Sequence, residues 1–140
     1  RMFFLKYLPT QSLLMNYREH FPAGSEPQIS SQLEMLRKAS LLLRDLDDFF
    51  REHDLSLTRF LILVILDGAD EGLQHSQIVD RIDVSSPVIS RSLGALVSDG
   101  LVEVITDAEN KRHKLNRLSD EGRARLQALM PGYYEILLRE

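Results

Sequence analysis

Apolar residues recur every three or four positions through most of this chain and alternate with polar ones over only two short stretches. The first spacing marks amphipathic helices, the second marks strands. Leu13, Leu14, Tyr17 and Phe21 predict a helix at about 10–20, capped by Thr10 after Pro9. A long helix is predicted over 31–54, where Ser31-x-x-Glu34 reads as a capping box. Two adjacent stripes run down it: Leu33, Leu36, Leu43 and Phe50 beside Met35, Leu42, Leu46 and Phe49. That arc is broader than one packing contact needs, so the helix is expected to serve its own domain and a partner. Wholly intrachain packing is the plainer alternative. "LTRFLILVIL" at 57–66, capped by Ser56 and stopped by "DGADEG", is read as a helix rather than a strand on its length and its cap.

A short helix follows at 75–82, "HSQIVDRI", with Ile78, Val79 and Ile82 inward, and then a tight turn at 83–85. The next helix begins at Ser85 or Ser86 as cap, with Pro87 at the first helical position, where its missing N–H costs nothing. Ile89, Leu93, Leu96 and Val97 point inward, and Gly100 stops it. "LVEVIT" (101–106) and "HKLNRLS" (113–119) alternate as two strands around the loop "DAENKR". Ser119-Asp120-Glu121 starts a last helix with acids at its positive end. Pro131-Gly132 is expected to break or restart it, leaving Tyr133, Tyr134, Ile136, Leu137 and Leu138 in an apolar segment that needs covering. No internal repeat or low-complexity tract interrupts this order.

The 140 residues, 44% of them hydrophobic and 27% charged, suit one globular domain of ordinary size. The absence of cysteine removes disulfides, thiolate metal sites and thiol redox sensing from this sequence. No apolar run reaches the length of a membrane span, and "RMFFLKYLP" lacks the small-residue cleavage site of a signal peptide. A cytoplasmic protein with no membrane partner is expected. Gly-rich phosphate loops, H-E-x-x-H, G-x-S-x-G and nucleophile–base pairings are all missing, so no enzyme, no catalytic residue and no cofactor are expected. "DDFFREHD" offers acids around one histidine only, and metal binding is not expected.

The net charge of −4 changes where a polyanion could bind. Any such contact must be local, and "KRHKLNR" at 111–117 holds Lys111, Arg112, Lys114 and Arg117 with no acid among them. Helix, tight turn, helix and hairpin is the winged helix-turn-helix plan, in which the second helix enters the major groove of double-stranded DNA. A lean outer face suits insertion. Here it is Ser86, Pro87, Ser90, Arg91 and Gly94, with Ser85 beside the helix start. The serines can bond bases or phosphates, Arg91 can reach a guanine edge or a phosphate, and the hairpin tip can carry Lys111 and Arg112, with Lys114 behind them, to the backbone or a minor groove. A Ser-Pro helix start also serves simply as a cap, and a basic hairpin as solvated surface; the order and spacing of the set favour DNA reading.

Residues 55–123 resemble the MarR family of bacterial winged-helix regulators. The matching pieces are "LTRFLILVIL", "HSQIVDRIDVSSPVISRSLGALVSDGLVEV", "DAENKR" and "LSDEGR", the hairpin followed by L-[ST]-x-x-G being the most specific. The resemblance implies a recognition helix from Ser86 with Arg91 at a frequent Arg position. The family's wing reads D-x-x-D-R-R; here Asp107 matches, Asn110 and Lys111 depart, and Arg112 is kept as the wing-tip contact. Those departures remove the loop's usual ion pair and imply a softer wing. Gln74 stands where the family often has a capping Thr, and Gly94-Ala95 where it often has Asp-Arg.

The implied architecture is mainly α with a small β-hairpin wing: one regulator over 1–140, with a DNA-binding winged helix-turn-helix at 55–119 flanked by dimerisation helices in 1–54 and 120–140. The family implies a homodimer, consistent with the apolar arc at 31–54 and the tail at 133–138, and Leu33, Leu36, Tyr133, Tyr134 and Leu137 are the expected dimerisation residues. Two recognition helices would then meet a near-palindromic operator. Residues 1–27 exceed the family's usual length before its first helix and are expected to wrap the dimer or stand as a loose arm. The family commonly releases DNA on binding small phenolic or other aromatic molecules between the dimerisation helices and the winged domain. Phe49, Phe50, His53, Arg59 and Phe60 are the candidates for such an effector, although each also fits ordinary core. The function implied is a ligand-responsive DNA-binding repressor; a winged helix used only for protein–protein contact is the alternative.

Overall fold

In the computed structural model, residues 16–139 are described. The described residues divide into two compact units, 16–46 and 47–139. The helix expected at 10–20 lies largely outside the described residues, of which Arg18–His20 form one 3-10 turn.

The first helix, α1, runs Glu26–Glu52 and crosses the division. It begins five residues before the predicted capping box, because Pro27 brings a helical φ to the first turn and the Ser25 carbonyl accepts from the Ile29 amide at 3.0 Å. Ser31 and Glu34 are therefore interior, and Glu34 pairs instead with Arg37, one turn on, at 3.2 Å. Within residues 26–46, Met35, Leu36, Leu41 and Leu42 are exposed and Leu33 is half-buried.

In the second unit, α2 (Leu57–Asp67) starts as expected at Ser56, whose hydroxyl accepts from the Arg59 amide at 3.2 Å. Helix α3 is short, His75–Val79. It stops before the predicted residue 82, yet Ile78 and Ile82 are both buried as the periodicity required. Helix α4 spans Ser86–Ser98. Ser85 takes the N-cap backbone position without a side-chain cap bond, which makes Pro87 the second helical residue rather than the first. Ile89, Leu93 and Leu96 are buried, but Val97 is exposed, one step off their stripe.

Strands β1 (Val102–Thr106) and β2 (Lys114–Leu118) form an antiparallel hairpin in which Val102 faces Leu118 and Thr106 faces Lys114. Leu73 adds a one-residue bridge to the hairpin's β2 edge. Its amide and carbonyl bond those of Asn116 at 2.9 and 2.7 Å, and the buried Asn116 side chain donates to the same Leu73 carbonyl at 3.2 Å.

Helix α5, Asp120–Leu137, packs its start against the strand entry. Ser119 donates to the Gly100 carbonyl at 2.7 Å and accepts from the Gly122 amide at 2.9 Å. A Cβ on Gly122 would come within 2.8 Å of Leu118 Cδ1 and would run into the Leu101 carbonyl, so only glycine allows this approach. The L-S-x-x-G motif is thus a packing device joining α5 to both strand ends.

The predicted break at Pro131-Gly132 does not occur, and α5 runs through Pro131. A proline removes one intrahelical bond, to the carbonyl four residues back. Here Pro131 and Gln127 both lie on the exposed side, open to water. The final turns are held by packing: Gly132 lies under the Phe49 ring, where an added Cβ would meet Cε1 at 2.5 Å, and Ile136 is buried. The core of this unit comprises Phe50, Phe60, Ile62, Leu63, Leu66, Ile78, Ile89, Leu96 and Leu101, all fully buried, each contributing roughly 1.5–3 kcal/mol.

Candidate nucleic-acid interface

Ser85, Ser86, Pro87, Ser90 and Arg91 are all exposed at the start and along the outward face of α4, while Ile89, Ser92 and Leu93 turn into the core. The first turn of α4 holds no acid, and the Ser85 hydroxyl makes no cap bond. The positive end of the helix is therefore uncompensated by its own side chains.

The hairpin loop is built by short polar turns rather than by an ion pair. Asp107 Oδ1 accepts from the Glu109 amide at 3.0 Å and Asn110 Oδ1 from the Arg112 amide at 3.1 Å, while the His113 amide donates to the Asn110 carbonyl at 2.9 Å. The departures Asn110 and Lys111 from the expected acid and arginine are accommodated by this Asx-type turn. Lys111, Arg112 and Lys114 are all exposed around it.

The cations of α4, the hairpin and the start of α5 differ in pairing. Arg117 is held by Glu103 across the hairpin at 2.9 Å, and Arg123 by Asp67 and, at 3.7 Å, Asp70. Arg91, Lys111, Arg112 and Lys114 have no ion pair among the described residues. Arg117, although part of the basic run, is already neutralised by its neighbour.

Two side chains outside the predicted site residues, Gln74 and His75, tie these pieces together. Gln74 caps α3 in a reciprocal box with Gln77, and its amide nitrogen lies 3.0 Å from His113 Nδ1 at the root of the loop. The next residue, His75, places Nε2 2.9 Å from Ser90 Oγ on α4. One dipeptide therefore reaches both the recognition-type helix and the wing. The available signal was Gln74 at a helix-capping position with Gln77 three residues on.

The effector candidates gather in one region but in unequal states. Phe50 and Phe60 are buried and stacked with centroids 4.5 Å apart, and Tyr133 lies 4.7 Å from Phe60. Phe49 is half-buried between Phe50 and His53, Arg59 is half-buried, and His53 is exposed. Phe50 and Phe60 serve the core through this stack. Of the dimerisation candidates on α5, Tyr134 and Leu137 are exposed and Tyr133 half-buried; on α1, Leu36 is exposed. Among the described residues no group of three acids or histidines could hold a metal, and no helix is long and apolar enough to cross a membrane.

A family model described as the MarR family matches residues 53–113. The HTH-type transcriptional repressor YetL of Bacillus subtilis (strain 168) is 29% identical over 134 residues, covering 93% of this chain and 78% of the relative. Among solved structures, Sco3205, a MarR family transcriptional regulator from Streptomyces coelicolor in complex with DNA, superposes with a TM-score of 0.71 at 20% identity, over 84% of this chain and 73% of that one. BpsR of Bordetella bronchiseptica, whose DNA binding is regulated by 6-hydroxynicotinic acid, superposes with a TM-score of 0.67 at 19% identity, over 84% of this chain and 81% of that one. These likenesses share the mainly helical architecture with its antiparallel hairpin.

Proposed function

We propose that the chain is a MarR-family winged helix-turn-helix transcriptional regulator, a homodimeric repressor reading a near-palindromic operator. The observation that carries the reading is the placement of exposed cations on α4 and around the hairpin loop. In a protein of net charge −4, Arg91, Lys111, Arg112 and Lys114 stay exposed and unpaired among the described residues, whereas Arg117 and Arg123 are neutralised by neighbours. Lys38, Arg44, Arg81 and Arg125 are likewise without ion pairs among the described residues, so what marks the set is its place on the second helix and the wing of a helix-turn-helix, where phosphates would lie.

In this reading α4 enters the major groove, with Ser85, Ser86 and Pro87 near the backbone at its positive end and Ser90 and Arg91 toward base edges. Lys111, Arg112 and Lys114 bring the wing to the flanking backbone or minor groove. Leu33, Leu36, Tyr133, Tyr134 and Leu137 join two copies, setting the recognition helices about 34 Å apart on successive major grooves. A small aromatic effector, such as the 6-hydroxynicotinic acid that regulates BpsR, would meet the accessible parts of Phe49, His53 and Arg59, with Phe50 and Phe60 buried in the core behind them. On this reading the protein acts in the cytoplasm.

The test is fluorescence anisotropy with duplexes selected from random DNA, repeated across salt concentrations. Affinity should fall steeply as salt rises, by roughly 10³-fold or more between 50 and 200 mM if six or more phosphates are engaged. Salt-insensitive or absent binding would leave the wing as a protein–protein module.

A further inference from the structure

His75 belongs to α3, yet its imidazole Nε2 lies 2.9 Å from the hydroxyl of Ser90, on the exposed face of α4. A serine inside a helix often turns its hydroxyl back to the carbonyl four residues earlier. Here the Ser90 hydroxyl turns to the neighbouring helix, and no other side-chain bond of Ser90 is found among the described residues. The imidazole is itself well placed. Gln74, immediately before it, is fixed by the α3 capping box, with its amide accepted by Gln77 Oε1 at 2.8 Å, and by the bond to His113.

We infer that His75 sets the hydrogen-bonding sense of Ser90 and so acts as a specificity-determining positioning residue for DNA reading. The inference rests on the proposal that Ser90 faces base edges. A hydroxyl has one proton and two lone pairs. With the ring proton on Nδ1, the unprotonated Nε2 is a stronger acceptor than a hydroxyl oxygen and the bond runs from Ser90 Oγ–H to His75 Nε2. The only proton Ser90 owns is then committed sideways, and its oxygen presents lone pairs outward.

In the major groove this matters. Adenine N6 and cytosine N4 donate, whereas guanine O6 and N7 and thymine O4 accept. A free serine rotates to serve either kind and discriminates poorly. A serine whose proton is held by His75 accepts only, and selects a base that offers an amino group. His75 thereby extends the reading code beyond the recognition helix without touching a base itself.

The experiment starts from a duplex selected out of random DNA by the parent protein. Competition with single-base variants of that duplex locates the pair at which Ser90→Ala loses preference. His75→Leu should lose the amino-group preference at that same pair, a drop of about tenfold in discrimination, while the rest of the site keeps its preferences. His75→Gln, whose side-chain oxygen also accepts from a hydroxyl, should restore part of it. Unchanged discrimination in His75→Leu at a pair that Ser90→Ala abolishes overturns the inference. If Ser90→Ala changes no pair although Arg112→Ala weakens binding, the base-facing reading of Ser90 fails, and the role of His75 with it. A second measurement needs no altered His75. In DNA-free protein, the Nε2 resonance of His75 should move on Ser90→Ala in long-range proton–nitrogen NMR spectra. A resonance that stays in place shows that the bond is not formed in solution and overturns the inference independently.

Discussion

The side-chain amide of Gln74 lies 3.0 Å from Nδ1 of His113, so the cap of α3 and the root of the wing loop share one hydrogen bond across 39 residues of sequence. The Gln74 side-chain nitrogen is the group turned toward the ring and, as an amide N–H, donates to it. This bond, with the neighbouring Leu73–Asn116 bridge, orients the wing relative to the helix-turn-helix.

Gln74→Leu and His113→Leu should each weaken DNA binding several-fold. A double-mutant cycle in anisotropy titrations should show a coupling of about 0.5–1.5 kcal/mol. Both side chains lie at the surface, so melting temperatures should move little. Strictly additive effects on affinity would mean that the bond does not position the wing.

The ion pair of Arg117 with Glu103, absent at Arg112, gives a paired test. Arg112→Ala should weaken binding to many sequences alike and reduce the slope of log affinity against log salt by about 1. Arg117→Ala, which removes a residue already paired with Glu103, should leave that slope nearly unchanged. Equal slopes for the two variants would contradict the assignment of phosphate contacts to the unpaired group.

Gly122→Ala should destabilise the fold by about 1–3 kcal/mol, since the new methyl would force Leu118 and the Leu101 carbonyl apart. Ser119→Ala, losing both the α5 cap and the bond to Gly100, should cost about 1–2 kcal/mol. Urea denaturation measures both.

Tyr134 and Leu137, exposed on α5, are proposed to be covered by a second copy. Tyr134→Asp with Leu137→Asp should shift the protein to monomer in sedimentation velocity and reduce operator affinity at least tenfold, because one recognition helix then binds alone. A dimer that persists would assign the interface to other residues.

What the sequence determined by itself was the part written in local rules. Caps at Ser56 and Ser119, the glycine after α4 and alternation in the two strands each act within a few residues, so the order helix, turn, helix, hairpin, helix was legible. Local rules also misled: Ser31-x-x-Glu34 matches a capping box, but any Ser and Glu three apart inside a helix match it equally, and Pro27 starts α1 earlier. Only the tertiary structure decided whether Pro131 ends its helix, because the answer lies in the Phe49 ring over Gly132. It likewise separated Arg117 from the unpaired cations, turned Val97 outward and sank Phe50 and Phe60 into one stack. The tie from Gln74 and His75 to the wing and to α4 was invisible for the same reason: hydrogen bonds between side chains 15 and 39 residues apart depend on which surfaces packing brings together, and spacing along the chain does not encode that.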